Sequence, residues 1–160
     1  MGGISIIIES DDFGKVFKRL KPIFDFEPSE LMTGIAALGE SQTRRRISEE
    51  KTAPDGSAWK PNNEGTSILL QTGQHLLQSI ANEASSDMAE WGATWEHAHV
   101  HQDGMTIVPK NAKALIFQIG GKTVGASKVT IPARPFVGLS SENEAEIEEL
   151  ITDVLGGSLQ

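Results

Sequence analysis

The alternation of apolar and polar positions predicts short strands separated by amphipathic helices. Residues 3–9 read GISIIIE, a β-branched run suited to an opening strand. Ser10, Asp11 and Asp12 then offer caps for a helix in which Phe13, Val16, Phe17 and Leu20 repeat at helical spacing until Pro22. Lys15, Lys18, Arg19 and Lys21 lie toward its end, where cations suit the helix dipole. Pro28-Ser29-Glu30 opens a longer helix, with Ser29 as its expected cap and Leu31, Ile35, Leu38 and Gln42 along one face. Its far end is Arg44-Arg45-Arg46. Successive helical residues point about 100° apart, so these three cannot form one phosphate patch. Dipole compensation and surface salt bridges are the expectation there.

Residues 52–61 predict a tight turn followed by a buried aromatic. Gly56 of Pro54-Asp55-Gly56 accepts positive φ, Asp55 suits an Asx turn, and Trp59 faces the core. A polar loop covers residues 62–67. A short helix is expected from about Thr72, after a Thr72-Gly73 hinge, leading into an extended stretch at residues 80–85. Met88 to Ala93 pairs with that stretch across a Ser85-Ser86-Asp87 turn. Residues 105–108 and 114–119 predict a hairpin turning near Lys110–Lys113, and the glycine-rich, basic residues 120–128 predict a mobile segment.

Ile131-Pro132-Ala133-Arg134-Pro135-Phe136 follows. Each proline fixes its own φ near −65° and keeps the residue before it extended. The segment is therefore a stiff strap, with Arg134 aimed by the backbone and Phe136 able to anchor it. Ser141-Glu142-Asn143-Glu144 has the form of a capping box. The last helix carries Ile147, Leu150, Ile151, Val154 and Leu155 as its apolar stripe and stops at Gly156-Gly157. The order predicts an α+β fold: a small antiparallel sheet packed with two N-terminal helices and one C-terminal helix, and a projecting basic hairpin arm at 104–130.

Composition narrows the function classes. A chain of 160 residues suits one domain spanning residues 1–160. Sixteen glycines, seven prolines and no tyrosine imply much loop, or surface covered by neighbours. The absence of cysteine excludes disulfides, thiolate zinc sites and a cysteine nucleophile. No apolar run approaches a membrane span and the start lacks a basic signal region, so a soluble, cytoplasmic protein is expected. The net charge of −8 argues against a dedicated nucleic-acid binder. Its placement is uneven. No acid occurs from Gly104 to Ser141, where Lys110, Lys113, Lys122, Lys128 and Arg134 lie, whereas Glu142, Glu144, Glu146, Glu148, Glu149 and Asp153 follow. Two solvated faces would explain this; so would complementarity between copies.

His97, His99 and His101 alternate, which on a strand would put all three on one side. On a helix, His97 and His101 would share a face at i, i+4. Either arrangement could approach zinc or nickel. No cysteine and no His-Glu-x-x-His motif supports them, and one packed, hydrogen-bonded histidine with two exposed ones is the plainer reading. Ser57, Ser79 and Ser140 lack a nucleophile-elbow context. Gly120-Gly121-Lys122-Thr123 imitates the end of a phosphate loop, but the first glycine of that motif is missing.

Four segments together resemble the phage virion morphogenesis family. They are Pro54-Asp55-Gly56 with Trp59, Leu70-Gln71-Thr72-Gly73 with Ser79-Ile80, Ala98-His99-Val100-His101-Gln102-Asp103-Gly104, and Ile131-Pro132-Ala133-Arg134-Pro135-Phe136. The chain departs from the family pattern at His97-Ala98, where a tyrosine-alanine pair is usual. The resemblance implies a structural protein of Mu-like and related contractile-tailed phages or prophages, acting in tail completion and head–tail joining. It implies no enzyme activity and no cofactor. Implied partners are other copies in a ring, and tail tube, tail terminator or neck proteins, in the host cytoplasm during assembly and then in the virion. The residues carrying the resemblance, hence the expected assembly residues, are Pro54, Asp55, Gly56, Trp59, Thr72, Gly73, His101, Gln102, Gly104, Pro132, Arg134, Pro135 and Phe136. Two other readings stay open: a metal-dependent hydrolase built on His97, His99 and His101, and a DNA-contacting neck component using Arg44–Arg46 and the arm.

Overall fold

A computed structural model describes residues 3–9, 19, 27–70 and 75–157. All but Arg19 of the first expected helix lies outside the described residues, as do Thr72 and Gly73. Strands β1 (Ile4–Glu9), β2 (Ile80–Ala84) and β3 (Met88–Ala93) form an antiparallel sheet in the order β1-β3-β2. Its register puts Ile4, Ile6 and Ile8 opposite Ala93, Trp91 and Ala89. Ile80 and Ala84 of β2 face Ala93 and Ala89. With a side-chain period of two, these residues share one face, and that face carries the core.

Helix α1 (Pro28–Arg45) buries Leu31, Met32, Ile35 and Ala36 against Ala89 and Trp91. The indole of Trp91 lies directly on Gly39, where an added Cβ would come within 2.2 Å of the ring. The last helix, α4 (Ser141–Gly157), adds Ile147 to this cluster, with Leu150, Ile151, Val154 and Leu155 packed beside it as its stripe foretells. A second cluster occupies the other end of the face and includes Ile47, Trp59, Leu76, Ile80, Ala93, Ala98 and Phe136. Helices α2 (His75–Ser79) and α3 (Ala98–Asp103) border it. No described helix is long and apolar enough to cross a membrane.

Several expectations need correction. Ser29 does not cap α1; Glu27 is the N-cap and makes no side-chain bond, while Pro28 starts the helix at N1. The Ser29 carbonyl instead accepts from Thr33 Oγ1 at 2.7 Å. At its other end α1 runs on into a π-helical turn, Arg46–Glu50, closed by Lys51 at φ 57°. The capping box of α4 sits one residue earlier than expected. Asn143 N donates to Ser140 Oγ at 3.2 Å and Ser140 N to Asn143 Oδ1 at 3.3 Å. Asn143 wins the inward position because its amide is fully buried and has a second partner there, described below.

Residues 104–131 pair differently from the expected hairpin. Strand β4 (Met105–Ile107) pairs with β7 (Val129–Ile131), and β5 (Leu115–Ile119) pairs with β6 (Lys122–Ala126). The turn falls at Gly120-Gly121, with φ of 55° and 78°. Positive φ at both central residues is what a two-residue hairpin turn requires, and consecutive glycines supply it without strain. The segment expected to be mobile is therefore half strand. The lysines at 110 and 113 lie in the connection, not at the hairpin tip.

Candidate functional site

The strap is where three of the four family-like segments meet. Its prolines keep it extended, so its backbone groups cannot bond among themselves and must find partners in other elements. Gln102, near the end of α3, supplies three. Its Oε1 accepts from Phe136 N at 3.0 Å and Val137 N at 3.1 Å, and its Nε2 donates to Val137 O at 2.9 Å. One residue back, the His101 carbonyl accepts from Arg134 N at 2.7 Å. Two residues on, Gly104 turns the chain at φ 74°, and any Cβ there would stand 2.7 Å from Ala133 N. That glycine is required twice over, by its φ and by the close approach.

The turn at residues 53–59 holds the strap from another side. Gly56 adopts φ 83°, and Asp55 Oδ1 accepts from Ser57 Oγ at 2.6 Å and Ser57 N at 2.9 Å, closing the Asx turn. The Ser57 hydroxyl, then its N–H, holds the Asp55 carboxyl below its ordinary value. Trp59 Nε1 donates to Pro135 O at 2.9 Å, and Pro54 lies so close to Gly138 that an added Cβ would meet its ring at 2.3 Å. Arg134 is buried; its Nε donates to Lys60 O at 2.8 Å and its Nη2 to Pro61 O at 3.1 Å. Burial lowers its pKa from the ordinary arginine value. Phe136 is fully buried in the second core cluster. Pro132 lines a groove of about 310 Å³ with His101, Phe117, Ile119, Ile131 and Arg134. Across it, the Gly120 N–H donates to Glu64 Oε1 at 2.6 Å, tying the hairpin tip to the polar loop. Of the expected residues, Pro54, Asp55, Gly56, Trp59, His101, Gln102, Gly104, Pro132, Arg134, Pro135 and Phe136 are thus brought together. Of the segment holding Thr72 and Gly73, Ile80 joins the same cluster.

The arginine triplet contributes most where the sequence suggested least. Arg46 is not a surface residue: it is 1% exposed. Its Nη1 donates to Gly138 O at 2.8 Å and Phe136 O at 3.3 Å, and its Nη2 to Asn143 Oδ1 at 2.5 Å. Nε lies 3.7 Å from Glu50 Oε2. Burial lowers its pKa, with Glu50 opposing. Arg45 makes the expected surface pairs, to Glu50 and to Glu146, both at 2.9 Å, and those two carboxylates raise its pKa in that order. Arg44 reaches Glu40 at 2.7 Å and the carbonyls of Leu77 and Ile80. The three side chains radiate to three elements, as helical geometry demands, and none is left for a phosphate. One signal could have identified Arg46. The buried positions of α1 run 31, 32, 35, 36, 39, 42 and 43, and the next residue in that phase is 46.

Of the two readings the helical one holds: His99 and His101 lie on α3 and His97 is its N-cap, so the three do not line one side. His97 and His101 instead flank Trp95, with ring centroids at 5.5 and 5.8 Å. His99 Nδ1 lies 2.9 Å from Glu96 O. His101 is the packed one, stacked on Trp95; among the described residues its buried Nδ1 has no partner. Among the described residues no group of three His, Cys, Asp or Glu side chains is placed to hold a metal.

His101 carries a pH dependence. Burial, then the Arg134 charge, lowers its pKa in the fold. The unfolded chain, titrating near the ordinary histidine value of about 6.5, then binds the proton more readily. Stability is fully present above that value and is lost as pH falls below it toward the folded value. Melting temperature should drop from pH 7.5 to pH 5.5 more steeply in the wild type than in His101→Phe, which keeps a stacking ring. Parallel slopes would refute the assignment.

The sequence profile of the phage virion morphogenesis family matches residues 9–156. Mu-like prophage FluMu G protein 2 of Haemophilus influenzae is 30% identical over 123 residues, which cover 77% of this chain and 75% of that protein. No solved structure matches the chain.

Proposed function

The chain belongs to the phage virion morphogenesis family, and on that premise we propose that it is a structural protein that completes the tail and makes it competent to join a filled head. It works in several copies at the head-proximal end of the tail or in the neck, next to tube, terminator or neck proteins. It assembles from the host cytoplasm and remains in the virion. It needs no cofactor and performs no catalysis.

The observation that supports this reading best is the use to which the family-like residues are put. Gln102, Trp59 and Arg134 all spend their polar atoms on backbone groups of the strap or of the chain beside it. They brace the ends of residues 104–131, the two ladders that leave the body at Gly104 and return at Ile131. A braced frame holding a two-ladder arm suits a contact role. A nucleophile, base or metal set would need free, converging side chains. The similarity to a Mu-like prophage protein favours a contractile-tailed setting.

The test is genetic. Deleting the gene from an inducible phage that carries it should leave filled heads and separate tails in the lysate. Adding the purified chain should restore joined, infectious particles. A deletion lysate with normal virions would end this reading.

A further inference from the structure

The arm and the last helix present complementary surfaces. Four of the five large apolar side chains exposed among the described residues lie on the arm: Met105, Ile107, Val108 and Ile116, between 36% and 69% exposed. Scattered exposed apolar residues are ordinary; their concentration in one short segment is not. Lys110, Lys113, Lys122 and Lys128, all exposed, lie in the same segment, which holds no acid. On α4 the pattern is reversed. Glu142, Glu144, Glu148, Glu149 and Asp153 are all exposed, whereas Glu146 is paired with Arg45. Among the described residues none of those five carboxylates pairs with a base. Exposed Ala145 lies among them and allows close approach.

We propose that the arm of one copy packs on the exposed acidic face of α4 in a second copy. The inference rests on the multi-copy reading above and names its interface. A second copy is the occupant because one chain carries both surfaces with opposite charge, four lysines against five carboxylates, so every copy offers what the next one needs. The two patches are different, so the contact is head-to-tail. Such contacts propagate and close into a ring when the rotation allows. The apolar strip supplies burial, and the charges set register and partner choice.

Light scattering and sedimentation of the full chain test it. The wild type should self-associate, and the concentration for half-association should rise about tenfold or more between low and high salt as the charges are screened. Lys110→Glu with Lys113→Glu should weaken association about tenfold or more, as should Glu148→Lys with Glu149→Lys. All four residues are exposed, so unchanged melting temperatures serve as the folding control. The two variants mixed in equal amounts should assemble again, since at the substituted positions each arm then meets a helix whose two residues carry the opposite charge. A wild type that stays monomeric at every concentration would overturn the proposal. Association that ignores both variants would overturn it too, and a deletion lysate rescued by either variant would still leave the tail role intact.

Discussion

Replacing Arg46 with methionine is expected to lower the unfolding free energy by about 3–5 kcal/mol. Methionine approximates the aliphatic stem, so packing is largely kept and the loss is polar. Three acceptors lose their donor together: Phe136 O, Gly138 O and Asn143 Oδ1. Each bond involves a charged donor in a buried place, where a deserted carbonyl carries the full cost of its lost hydration. The damage spreads, because Asn143 also closes the cap of α4 through Ser140. Arg46→Lys should recover little, since one ammonium cannot match a planar fork reaching two carbonyls and an amide. Urea denaturation measures both. A loss below about 1 kcal/mol for Arg46→Met would mean that water replaces the guanidinium and that the strap is held elsewhere.

Phe136→Ala is expected to cost a similar amount, about 3–5 kcal/mol, for a different reason. The ring is fully buried among Ile47, Trp59, Ile80 and Ala98. Removing it loses the transfer free energy and leaves a cavity that two flanking restraints keep from collapsing. Those restraints are the Gln102 clamp on Phe136 N and the Trp59 bond to Pro135 O. The melting temperature should fall by about 6–20 °C. Phe136→Leu should cost clearly less, because most of the volume is kept. If both variants lost the same amount, the aromatic shape and not the cavity would be in control.

These two residues show what the sequence could reveal and what it could not. The closing helix was legible because its stripe is strictly periodic, and the β2–β3 pair because its turn is short and its strands are neighbours. The Asx turn at Asp55 follows from three adjacent residues. The phase of α1 marks position 46 as inward, but its role as a donor was not legible, since its partners lie ninety residues or more away and an arginine triplet looks like surface. The arm was misread for a related reason. Local pairing of residues 105–108 with 114–119 looks economical, yet Gly120-Gly121 makes a better turn, and β4 then pairs with a strand returning from far along the chain. The histidine spacing left strand and helix both open; residues 98–103 form a short helix, and it delivers Gln102 to the strap. The family-like segments were recognisable in order, but that residues 54–61 and 98–104 brace the strap needed three dimensions.

The frame also explains how a small apolar fraction suffices. Where the strap crosses the body, side-chain hydrogen bonds to backbone groups replace part of the apolar burial. A structure so braced can hold an arm in place while Met105, Ile107, Val108 and Ile116 on it stay exposed.

A role in tail completion stands or falls on where this chain ends up. Tails purified from an induced lysate, with the chain carrying a small epitope tag, can be labelled with gold antibody and its copies per tail counted by quantitative mass spectrometry. Several copies per tail are expected, with label at the head-proximal end only. A chain absent from both tails and finished virions, or spread along the tail shaft, would contradict that role.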